Sequence, residues 1–265
     1  MKSLRPLLFF VAILMVVGMA CSALTGGGDT PSQPVVTEEP VQVQPTVSNP
    51  PTAVPEPTQV LPTVEIPTDA PVSSESRDFF VEEFDSNYVA DDWQYFILGD
   101  GDDDNLVIEQ RDDYLYFDLG AEDLYVYYMY APYIYDNVSL ELNALNQGRN
   151  NNNVSLVCRM NEEGTQWYEF SVESGGVWYL YAFDNGYNRI GNGGTNDLRQ
   201  GKEQNTYRME CVDDEIILYI NDKKLTTVRD SKYFFNEGFV GFNISSLNVL
   251  PITLEVNWFE IAQPE

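Results

Sequence analysis

Thr206-Tyr-Arg-Met-Glu-Cys-Val-Asp-Asp-Glu-Ile-Ile-Leu-Tyr-Ile-Asn-Asp-Lys-Lys-Leu-Thr-Thr-Val-Arg229 reads as three short runs of strand-forming residues cut by two turn signals, Asp213-Asp214 and Asn221-Asp222. Apolar and polar residues alternate, as they must where successive side chains point to opposite faces of a sheet. The spacing predicts strands over Thr206–Val212, Ile216–Asn221 and Lys224–Arg229, with tight turns between them.

The same pattern extends both ways. It predicts strands over Phe79–Phe84, Leu106–Gln110, Tyr114–Asp118, Leu124–Tyr130, Val138–Leu145, Val154–Met160, Trp167–Val172, Val177–Phe183, Phe239–Ile244 and Ile252–Ile261. Gly175-Gly176 and Gly193-Gly194 read as further turns. No stretch after Arg77 carries a long helical period. Many short strands without helices mean a sandwich or a barrel.

The order of these segments carries a resemblance. Phe84-Asp85 is followed by Trp93, then by Val154-Ser-Leu-Val-Cys-Arg159 and Trp167-Tyr-Glu-Phe170. The Tyr207–Val212 and Ile216–Asn221 hairpin comes next, then Gly238-Phe-Val-Gly-Phe242 and Leu254-Glu-Val-Asn-Trp-Phe-Glu-Ile261. From about Asp78 to Ala262 this resembles the concanavalin A-like (laminin G-like, glucanase-like) jelly rolls of bacterial extracytoplasmic proteins. That group includes 3-keto-disaccharide hydrolase-like and family 16 glucanase-like domains. The resemblance implies an all-β, two-sheet antiparallel jelly-roll sandwich over residues 77–265. It also brings the two Cys-bearing strands together, which implies a Cys158–Cys211 disulfide worth on the order of 4 kcal/mol. The alternative is two buried free thiols.

Ahead of this domain lie two segments of different character. Lys2 and Arg5, the apolar run Leu7–Val17 and Gly18-Met19-Ala20 before Cys21 have the parts of an export signal. They resemble a bacterial lipobox, with Gly18 where Leu is usual, and imply lipidation at Cys21 and membrane anchoring of an exported protein. An uncleaved signal anchor is the alternative. Residues 22–76 are rich in Pro and Thr and contain no aromatic residue, Lys or Arg. Such a stretch cannot bury enough apolar surface to offset its ordering entropy, so it reads as a disordered tether. Asn137, Asn153 and Asn243 each begin an Asn-x-Ser pattern, which leaves a glycosylated eukaryotic secreted protein as an alternative, but the pattern arises by chance in an Asn-rich chain and the lipobox and tether point to a bacterium.

Composition excludes whole classes of chemistry. With 14 Lys and Arg against 42 Asp and Glu, the net charge is −28, which repels phosphate backbones and excludes nucleic acid as a partner. The chain has no His, so it holds no Ser-His-Asp triad, Cys-His pair or His-ligated zinc. Glucanases of the resembling group carry Glu, Asp and Glu alternating on one strand face, as nucleophile and acid/base. The only Glu-x-Asp here is Glu83-Phe84-Asp85, at the domain entry and lacking the second Glu. It reads as a fold marker, and no catalytic residue is assigned.

Two residue groups remain as binding candidates. Asp100, Asp102 and Asp104 alternate in an acidic loop that reads first as a solvated turn and otherwise suits calcium, although Asn105 and Arg111 break the EF-hand pattern. The resemblance adds Asp85 and Glu260 as a second calcium position. Aromatic residues crowd Tyr125–Tyr135 and Trp167–Tyr181, with many Asn nearby. Flat rings beside amides and carboxylates suit sugars. Trp93, Tyr128, Trp167, Tyr168, Trp178 and Tyr179 are the candidates for an exposed platform, and an extracellular glycan is the expected partner. On Val177–Phe183 either Trp178 and Leu180 or Val177, Tyr179 and Tyr181 face the core. An exposed aromatic row favours glycan binding, two carboxylates facing each other in a cleft favour a hydrolase, and a flat apolar patch favours a protein-binding module.

Overall fold

The computed structural model describes residues 79–264. The expected signal peptide with its lipidation site Cys21 and the expected tether lie outside them. Among the described residues no helix is long and apolar enough to cross a membrane.

Among the described residues fifteen strands form two antiparallel sheets. They are β1 (Phe80–Glu82), β2 (Trp93–Leu98), β3 (Leu106–Arg111), β4 (Tyr114–Leu119), β5 (Tyr125–Tyr135), β6 (Val138–Asn146), β7 (Asn152–Met160) and β8 (Gln166–Glu173). Then follow β9 (Val177–Asp184), β10 (Tyr187–Gly194), β11 (Gln204–Val212), β12 (Glu215–Ile220), β13 (Lys223–Arg229), β14 (Gly238–Ser246) and β15 (Ile252–Ala262). One sheet has eight strands in the order β13-β12-β11-β6-β15-β4-β3, with β1 added along β15; the other has seven, in the order β10-β9-β8-β7-β14-β5-β2. This is the jelly-roll sandwich that the segment order implied.

Alternation decides which residues enter the core. On β6, Val138, Leu140, Leu142 and Ala144 are buried against the other sheet, and on β8 Tyr168, Phe170 and Val172 do the same. On β9 it is Trp178, Leu180 and Ala182 that face inward. The disulfide is present: Cys158 of β7 and Cys211 of β11 join the two sheets, with Cα atoms 6.9 Å apart.

Two strands escape the sequence pattern. β2 (Trp-Gln-Tyr-Phe-Ile-Leu) lies at a sheet edge, where its alternation is blurred. β10 reads as a turn because of Gly193-Gly194, yet it is the opposite edge strand. A Cβ on Gly193 would sit 2.6 Å from the Trp178 ring, so the glycine is there to admit a packed indole.

Candidate functional site

The face of the seven-stranded sheet turned away from the sandwich core is built from rows that cross the strands. One row, by register, is Phe96–Tyr127–Asn243–Ser155–Ser171–Tyr179–Asn192. A second is Leu98–Tyr125–Ser245–Asn153–Glu173. A third is Gln94–Met129–Gly241–Val157–Glu169–Tyr181–Arg189. The middle strands β14, β7 and β8 thus contribute small or polar side chains, and the flanking strands contribute tyrosines. The result is a polar floor between aromatic walls.

The sheet curls towards this face. Tyr127 of β5 and Tyr187 of β10 join their hydroxyls in a hydrogen bond although five strand-to-strand steps separate them. In a flat sheet those steps span about 24 Å, further than two tyrosines reach. The face is therefore concave.

Glu169 lies at the centre of the curl. Its Oε2 accepts from the Tyr127 hydroxyl at 2.8 Å and from Trp167 Nε1 at 3.1 Å. It is only 4% exposed. Burial raises its carboxyl pKa above the ordinary range, and the Trp167 and Tyr127 hydrogen bonds offset only part of that. Burial, followed by the charge of Glu169, also pushes the Tyr127 and Tyr187 hydroxyls up. Beside Glu169 opens a cavity of about 370 Å³ lined by Tyr125, Asn153, Glu169, Ser171, Glu173, Tyr179, Tyr181, Tyr187, Arg189 and Ser245. Tyr179 and Tyr181 stack with centroids 5.7 Å apart, and the Arg189 guanidinium sits 6.0 Å from the Tyr179 ring. Asn153 Oδ1 and Asn243 Nδ2, in the floor, have no protein partner.

Of the six aromatic residues expected to form a platform, the structure leaves only Tyr179 on this cavity. Trp93 stacks on Tyr128 at 5.3 Å, and both are enclosed between the sheets. Trp178 and Tyr168 lie on the inner face, with the Tyr168 hydroxyl donating to Asp230 at 2.5 Å. Trp167 points to the concave side, but Phe183 covers it at 3.7 Å and it is fully buried. Large strand aromatics fill the core here because two broad sheets need volume between them. Tyr125, Tyr181 and Tyr187 take the role on the cavity instead.

β8 also carries a pair of same-facing carboxylates. Glu169, Ser171 and Glu173 alternate on one face of β8, a pattern that differs from Glu-Asp-Glu at Ser171 alone and is readable in the sequence. Glu83-Phe84-Asp85 does not line the cavity. Its Phe84 is a core residue packed on Trp93 at 5.8 Å.

For a cation, Asp102, Asp103 and Asp104 are the one carboxylate trio of ligand size among the described residues, and all three are exposed. Asp100, Asp85 and Glu260 do not belong to it. Asp102 caps the turn, accepting from Asp104 N at 3.1 Å, and Asp85 accepts from Asn87 N at 2.7 Å. Glu260 lies beside Glu141 on the eight-stranded sheet. Two of the three glycosylation patterns fall on the concave floor, where Asn243 is 1% exposed and cannot carry a glycan in the folded chain.

The geometry defines a concanavalin A-like jelly roll with a tyrosine-walled concave face. In fold it is similar to a protein of unknown function with a galectin-like fold from Bacillus subtilis, at 12% identity over 69% of this chain and 94% of that chain, TM-score 0.55. It is also similar to a Bacillus licheniformis β-glucanase, at 14% identity over 72% and 100%, TM-score 0.54. A family 16 endo-glucanase from Bacteroides ovatus follows at 10% identity over 69% and 99%, TM-score 0.53. At these identities the likeness is one of fold. No family model matches the sequence, and no curated protein matches it.

Proposed function

We propose that this protein binds extracellular carbohydrate in the concave cavity of the seven-stranded sheet, and that it works outside the cytoplasm, tethered to the membrane through lipid on Cys21. The observation that carries the binding reading is the floor itself. Asn153, Ser171 and Ser245 offer hydroxyl-sized polar contacts between the rings of Tyr125 on one flank and Tyr179 and Tyr181 on the other. Sugar C–H faces pack on rings while hydroxyls bond to amides, hydroxyls and carboxylates. A cavity of about 370 Å³ is at the lower end of the range for small-ligand sites. The export reading is supported by the signal-like residues 1–21 and by the buried disulfide, since disulfides persist in oxidising compartments.

A second reading is hydrolysis. Glu169 and Glu173 both line the cavity, and paired carboxylates are what glycoside cleavage needs. Against it, Oε2 of Glu169 is held by two donors and Ser171 stands where the Glu-Asp-Glu signature has Asp. The full-length chain on a glycan array, with reducing-sugar release measured on every bound glycan, tests both. Binding without release supports the module. Release abolished by Glu169→Gln or Glu173→Gln supports the enzyme. A blank array from folded protein overturns the carbohydrate reading.

A further inference from the structure

We infer that the concave cavity receives the end of a glycan chain and not its middle, an inference that rests on the carbohydrate reading above. A continuous barrier of five aromatic rings crosses the sheet on one side of the cavity. Phe96 of edge strand β2 stacks on Tyr127 at 4.8 Å, Tyr127 meets Trp167 at 5.4 Å, Trp167 stacks on Phe183 at 3.7 Å, and Phe183 meets Tyr187 of edge strand β10 at 5.0 Å. Tyr127, Trp167 and Phe183 belong to a second apolar cluster with Met129, Val157, Met160 and Phe239, so the barrier is packed from behind. The Tyr127–Tyr187 hydroxyl bond ties its two arms together over the curl.

On β8, β9 and β10 the barrier lies beyond Glu169, and on β2 and β5 it stands one row nearer, in the row of Asn243, Ser155 and Ser171. Asn243 and Ser155, next to Tyr127 in that row, are 1% exposed and do not line the cavity, so what remains of the polar floor is Ser171 in one row and Ser245, Asn153 and Glu173 in the next. Two same-face rows on a strand span about 7 Å. Across the strands, the floor is closed by Tyr125 on β5 and by Tyr179 and Tyr181 on β9. Walls therefore stand on both flanks and along the barrier. A chain lying straight through needs two opposite openings. The remaining way in is from the rim where β8 ends at Glu173 and β7 begins at Asn152, which admits a chain end first.

The test is an array of cello-, laminari-, xylo-, manno- and fructo-oligosaccharides of two to six residues. Each is attached once through its reducing end and once through the opposite end. The full-length chain is expected to bind at least one series in one orientation only, tenfold or more above the other, with no gain beyond about three residues. Tyr187→Ala, which removes the last ring of the barrier, is expected to reduce that contrast to under threefold. Should that variant fold poorly, the orientation contrast of the unaltered protein decides alone. Equal signals in both orientations that grow with chain length overturn the chain-end inference and leave the carbohydrate reading standing. A blank array removes both.

Discussion

Replacing both Cys158 and Cys211 by alanine removes the disulfide that cross-links the two sheets. The two residues are 53 apart in sequence, and the chain-entropy relation for a loop of that length gives about 4 kcal/mol. Both cysteines are completely buried, so truncation adds a small packing loss of the same sign. For a domain of this size each kcal/mol moves Tm by roughly 2–4 °C, so the expected fall is about 8–16 °C. Calorimetry of the two proteins without reductant measures it, with a thiol titration to establish that the unaltered chain is bridged. Unaltered protein refolded in reductant is expected to melt with the variant. A fall below about 4 °C in a protein shown to be bridged would refute the reasoning, because the cross-link would then be doing little to restrict the unfolded chain.

Other substitutions separate structure from binding. Trp167→Ala empties a fully buried indole site and is expected to cost about 3–5 kcal/mol in denaturant unfolding, whereas Tyr179→Ala, half-buried on the cavity, is expected to cost about 1 kcal/mol or less. Arg159→Ala leaves the carbonyls of Asp136, Asp213 and Phe235 without their donor, so a loss of at least about 3 kcal/mol is expected in the same assay. Glu169 has a folded pKa raised by burial. A raised carboxyl contributes its full stability below the unfolded value of about 4.3 and loses it as pH climbs towards the folded value. The stability of the unaltered protein is therefore expected to fall relative to Glu169→Gln as pH rises from about 4, and a pH-independent difference would count against this.

How legible the molecule was in its sequence depended on which face a residue served. Thirteen of the fifteen strands followed from alternation, because each strand must present one apolar face to the core, and the pairing of Cys158 with Cys211 followed from the resemblance to the concanavalin A-like jelly rolls. The choice of exposed aromatics did not follow. Trp178 and Tyr179 are neighbours of equal β-propensity, and only the register of β9 sends one inward and the other onto the cavity. Trp167 misleads further, since it points to the binding side yet is roofed by Phe183 from the adjacent strand. The Glu169–Ser171–Glu173 alternation was readable, but Ser171 broke the pattern that would have drawn attention to it. Tyr187 was hidden in a glycine-rich edge strand that reads as a turn.

The most direct test of the central claim is binding to a glycan array by the unaltered full-length chain and by the Tyr179→Ala/Tyr181→Ala double variant, with thermal stability recorded for both. The account predicts specific binding that falls tenfold or more in the variant, about 1.4 kcal/mol, while Tm changes little. Binding that survives unchanged in the folded double variant would contradict it, because the carbohydrate would then be held somewhere other than the concave cavity.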